Sequence, residues 1–210
     1  MSINVYVGEL QTQLEEITRD SQNTIQVMEE IQKSLNAIII EPSLTGLTYD
    51  SMKNYFKNVY LPVTKGFILV SETMITSNQT LLNRYLEEVD VNDLQEHILE
   101  ARIKQYNHLS QMLDSLEDKT GLVDKMIDNM QEMSIYTTRK LDELREFDYF
   151  SIQIADELDA QLAELEIGVG ILMDGKAWNQ STGTFSTLGL NLEWAGTINR
   201  KWEDKQKKKE

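Results

Sequence analysis

The sequence predicts a mostly α chain: an elongated bundle of long helices, with an N-terminal antiparallel helical hairpin and a small non-helical segment near the C-terminus. Three observations predict it. Ile3, Val7, Leu10, Leu14, Ile17, Ser21, Thr24, Met28, Ile31, Leu35 and Ile38 follow one another at alternating steps of four and three, the spacing that keeps one stripe of a helix toward a partner. The two prolines both precede residue 63, which leaves most of the chain free to be helix. Six of the ten glycines fall between Gly168 and Gly196, where helix is disfavoured.

The first helix, about 54 Å long at 1.5 Å per residue, is expected to end near Ile40. Pro42 disfavours helical geometry at Glu41, and Gly46 follows shortly. Tyr49, Met52, Phe56, Val59, Val63 and Phe67 then resume helical spacing, which Val70, Met74 and Leu81 carry toward Glu88. Pro62 is expected to bend or loosen this second helix. A short break between two long helices predicts an antiparallel hairpin over 1–88.

Asp90-Val91-Asn92-Asp93 supplies capping side chains for a third, less regular stretch through Leu94, Ile98, Leu109, Met112 and Leu116, closed at Gly121. From Leu122 to Ile167 runs a second long periodic segment, as one helix or two, with a bend or a tight contact expected at Phe147, Tyr149 and Phe150. The helical region therefore spans 1–167, with its further helices over 94–167. Residues 168–202 read as a Gly- and aromatic-rich non-helical cap with a short terminal helix from Leu192 to Trp202. Residues 203–210 read as a basic tail or linker.

The net charge of −15 over 210 residues opposes nucleic acid or an anionic membrane surface as a main partner. The charge is uneven: Arg200–Glu210 carries six basic residues against three acidic ones. The chain has no cysteine, which excludes disulfides, zinc thiolates and a thiol nucleophile. The first residues lack the basic and apolar regions of a signal peptide, and no stretch approaches a membrane span.

Catalysis has little to stand on. His97 and His108 are eleven residues apart, too far along a helix to share an ion, and neither follows a Glu-x-x spacing. Glu15-Glu16, Glu29-Glu30 and Glu87-Glu88 are adjacent pairs of the kind found on solvated helix faces. Gly168-Val169-Gly170 lacks the preceding strand and the continuation of a phosphate-binding turn. No catalytic, cofactor or metal residue is assigned. Ser21 and Thr24 interrupt the stripe, either at a less buried level or as register-fixing polar positions. Met126, Met130 and Met133 are expected to pack in a core, since Met fills irregular interiors as readily as it makes binding surface.

Leu44-Thr45-Gly46, between the first two helices, resembles the naming Leu-x-Gly signature of the LXG-domain family. The opening Ile3-Asn4-Val5-Tyr6-Val7-Gly8-Glu9, the helix beginning Thr48-Tyr49, the segment Phe147-Asp148-Tyr149-Phe150, and the terminal Gly183-Thr184-Phe185-Ser186-Thr187 with Leu190-Asn191-Leu192-Glu193-Trp194 resemble it in the same order. The resemblance covers nearly the whole chain. It implies an N-terminal delivery module of polymorphic toxins, made in the cytoplasm and exported by the type VII secretion system of Gram-positive bacteria for antagonism between bacteria. It further implies that the hairpin, like the small Trp-x-Gly secreted proteins, pairs with small helical partners encoded nearby, and that a variable toxin domain follows.

That resemblance casts Ile3, Val7, Leu10, Leu14, Ile17, Met28, Ile31, Leu35 and Ile38 as a partner-binding stripe, shared between hairpin and partner. Leu44 is then an apolar anchor in the signature turn with Thr45, and Gly46 supplies backbone angles that a Cβ forbids. The pathway's Tyr-x-x-x-Asp/Glu export signal is missing, since no tyrosine has an acid four residues later. Export would then draw on a signal donated by a partner. Two other readings stand beside this one. A helical pore-forming subunit needs a longer apolar run than Ala37-Ile38-Ile39-Ile40, and an intracellular coiled-coil scaffold has no use for the Gly- and Trp-rich C-terminal segment.

Overall fold

The computed structural model describes residues 2–116 and 121–208. A two-residue strand, β1 (Asn4–Val5), precedes the first helix, α1 (Val7–Ile40). Helix α1 ends at the expected residue, but it begins at Val7. Ile3, the first position of the stripe, therefore lies off the helix, in an extended segment held elsewhere.

The second helical run starts with α2 (Leu47–Tyr55), passes through a π-helical turn at Phe56–Tyr60, continues as α3 (Leu61–Arg84) and closes with a second π-helical turn at Tyr85–Val89. Pro62 neither breaks nor ends the run. The N–H of Leu61 bonds to the Phe56 carbonyl five residues back, so the helix widens immediately before the residue that has no N–H to give. Asp90 then turns to extended backbone and the run stops.

Strand β2 (Leu94–Gln95) pairs antiparallel with β1, Asn4 opposite Gln95 and Val5 opposite Leu94. It leads into α4 (Glu96–Asp114). Helix α5 (Leu122–Asp174) is one unbroken helix of 53 residues. The aromatic cluster at 147–150 makes a tight contact and no break. Past a glycine turn, β3 (Trp178–Asn179) and β4 (Thr184–Phe185) form a second antiparallel pair, followed by α6 (Glu193–Lys207).

Two C-terminal boundaries differ from the sequence reading. Helix α5 runs seven residues past 167, carrying Gly168 and Gly170 inside it, because the ring of Trp194 lies against Gly168 and the contact outweighs the poor helix propensity of glycine. Helix α6 extends through Lys207 into the stretch read as a basic tail. Lys205 is held there by the Glu72 carboxylate at 2.6 Å, and its Nζ lies 4.5 Å from the centre of the Trp202 ring.

The chain resolves into two compact units, each discontinuous in sequence: Met1–Glu15 with Ser77–Ile154, and Glu16–Thr76 with Ala155–Glu210. The first unit packs around Tyr85 and Leu144, with Val5, Val89, Leu99, Leu141 and Phe147. Tyr85 meets Phe147 edge-on at 5.2 Å and donates its hydroxyl to the Asn92 carbonyl, and burial raises its pKa. The second unit packs Tyr55, Val59, Val63 and Val70 against Leu165, Trp194 and Ile198.

Candidate partner-binding surface

The predicted stripe divides along α1. Ile3, Val7 and Leu10 pack against the core of the first unit. Leu14, Ile17, Met28 and Ile38 are half-buried, Leu35 is buried, and Ile31 is exposed. From Leu14 to Ile38 no stripe residue joins either apolar core. Val27 and Ile40, beside the stripe, are exposed as well, at 50% and 77%.

The polar interruption is also placed. Ser21 is buried at 5% exposure, which rules out the less buried level for that residue, and Thr24 is half-buried with its hydroxyl bonded to the Asp20 carbonyl. Gln32, one position past Ile31, encloses its Nε2 with no acceptor among the described residues.

The signature turn is built from local hydrogen bonds. The Glu41 carboxylate accepts from the Ser43 hydroxyl at 2.6 Å and the Ser43 N–H at 3.0 Å, and these bonds hold its pKa below the usual carboxylate range. Lys53 Nζ donates to the Glu41 carbonyl at 2.6 Å. Gly46 takes φ +102° at the start of α2, a conformation closed to residues with a Cβ, and its carbonyl accepts the Asp50 N–H. Leu44 is half-buried and joins neither core, whereas Thr45 and Leu47 are exposed. The turn thus presents Leu47, and next to it Tyr49, at the same end of α1 as Ile40.

Residues 5–144 match the LXG domain of the WXG superfamily. The chain belongs to the LXG-domain family. The matched stretch includes Leu44-Thr45-Gly46 in the turn just described. A curated relative from Bacillus cereus, named "Toxin", is 29% identical over 200 residues, covering 94% of this chain and 37% of its own length. The chain thus spans little more than a third of that relative.

Residues beyond the matched stretch pack on it. The β3–β4 pair seats on α2: the Phe185 N–H donates to Ser51 Oγ at 3.0 Å, and the Phe185 ring stacks on Tyr55 at 5.2 Å, with Trp178 against its other side. Burial raises the pKa of Tyr55. Sequence reading noted Phe185 and Tyr49 separately but had no signal for pairing elements some 130 residues apart. The methionines also differ from expectation: Met126 and Met133 are exposed and Met130 is half-buried.

Chemically reactive groupings are sparse. His97 and His108 are exposed. Among the described residues no group of three His, Asp or Glu side chains is placed to hold a metal ion, and no helix is long and apolar enough to cross a membrane.

Proposed function

We propose that this LXG domain is a non-enzymatic targeting and delivery domain of a type VII-secreted toxin, which binds small helical partner proteins along α1 for export in interbacterial antagonism. One observation carries the reading: on a helix about 51 Å long, whose stripe is otherwise buried or half-buried, the apolar Val27, Ile31 and Ile40 are exposed along its length. A face of this length suits a partner helix, packed by knobs into holes. The toxin relative, nearly three times longer than the matched stretch, supports placing the killing chemistry in a separate region. The missing tyrosine-based signal fits export in complex with partners that supply it.

The test uses Val27→Asp with Ile31→Asp. Both side chains are exposed, so the fold is retained, while a carboxylate in an apolar seam has no compensating group. Binding to the small helical proteins encoded beside the gene is expected to weaken at least about tenfold, and export to fall with it. A folded double variant that binds and is exported like the parent sinks this assignment.

A further inference from the structure

Helices α4 and α5 form an antiparallel pair: Arg145 bonds to Glu96 and Glu100 at 2.8 Å, and further along Ser134 donates to Asn107 at 2.7 Å. Their shared seam can be read from burial. On α4 the covered positions are Leu99, Ile103, Tyr106, Ser110 and Leu113. On α5 they are Val123, Ile127, Met130, Ser134 and Thr137, again at steps of three and four.

Five exposed apolar residues sit one position before such a seam position: Leu109, Met112, Leu122, Met126 and Met133. On a right-handed helix one step back is a turn of about 100°. In an antiparallel pair that same step, taken on both helices, points to the same side of the pair. The five residues therefore share one face, which Ile98 and Tyr136 extend by the same rule. None of them belongs to either core. The intervening positions on this face, Arg102, Gln105 and Asn129, bring no carboxylate, whereas the opposite face, one position after the seam, carries Glu100, Asp114, Asp124 and Asp128.

We propose that this face of the α4–α5 pair is a self-association surface, on which a second copy of the chain docks face to face. Two such pairs stacked in this way make a four-helix arrangement in which every helix buries two faces. The seven apolar residues expose on the order of 700 Å², close to the share that one partner contributes to a standard-size interface. Two copies of a chain with net charge −15 repel one another, and this is a face they can join without opposing carboxylates. Methionines at its centre adapt to an identical neighbour as they do to any apolar surface. The surface is separate from the α1 stripe, so its failure leaves the delivery reading standing, and the converse also holds.

Sedimentation equilibrium over about 1–100 µM at physiological salt tests it. The parent chain is expected to form dimers, Met112→Lys with Met126→Lys to weaken them at least about tenfold, and Gln111→Lys with Gln131→Lys, on the opposite face, to leave them unchanged. A monomer throughout that range overturns the proposal, as do dimers that the first pair spares or that both pairs weaken equally. Because the chain has no cysteine, single Asn129→Cys and Gln131→Cys variants carry spin labels that keep the test open if the lysine variant misfolds. Labels at 129 are expected closer together than labels at 131, and the reverse order or no measurable pair overturns the proposal.

Discussion

At position 168 a hydrogen atom stands where any other residue would place a carbon 2.5 Å from the Trp194 ring. Two residues on, Gly170 has nothing within 4 Å of the same point. The pair makes a controlled comparison inside one helix. Gly168→Ala is expected to destabilise by about 1–3 kcal/mol through overpacking. Gly170→Ala is expected to stabilise by about 0.5–1 kcal/mol, since it removes only the entropic cost of glycine in a helix. Urea unfolding followed by circular dichroism reads both, and equal effects would show that the ring does not rest on position 168. From sequence these two glycines signalled a helix end. That inference follows from propensity and fails here because the deciding neighbour, Trp194, lies 26 residues away.

The elements written in periodicity were legible before folding: the end of α1 at Ile40 and the resumption after Gly46, whereas the periodicity of 122–167 admits one helix or two and does not decide that α5 runs on through its aromatic cluster. The clasp on the N-terminus was not. Asp93 reads as a cap for its own helix, yet its carboxylate accepts the Val7 N–H at the start of α1, and Glu96 accepts the Ile3 N–H at 3.0 Å. Two-residue strands leave no alternation to detect. This clasp sets a pH dependence. The Ile3 N–H, then the Arg145 guanidinium, hold the Glu96 carboxyl below its ordinary value of 4.5. A carboxyl depressed in the folded chain adds stability that is complete above the unfolded value and is lost as pH falls through the lower folded one. Glu96→Gln is therefore expected to lower the urea midpoint at neutral pH and to match the parent near pH 3. A difference that persists undiminished in acid would separate the effect from the charge of Glu96.

Across the whole molecule, chain order and spatial order part company. Helices α1, α3 and α5 each give residues to both units. The family match ends at residue 144, yet the second unit draws Leu165, Trp194 and Ile198 from beyond it. At about 1.5–3 kcal/mol for each large buried side chain, losing these three removes stabilisation comparable to the net ~5–15 kcal/mol that holds a domain. A chain ending at residue 150 is expected to aggregate, or to unfold without a cooperative transition, while one ending at 208 does not. Cooperative unfolding of the shorter chain would show that residues 16–76 need no C-terminal cover. The clasp at β1 and β2 also sets an order of events in time. Its two halves lie about 90 residues apart, so at roughly 5–20 residues per second the ribosome delivers the second half some 5–20 s after the first. For that interval α1 has emerged and nothing in its own chain is yet available to fasten its start. On the delivery reading proposed above, a partner in the same cell would meet the apolar stripe as it is being made, before the segment that will anchor it has been translated.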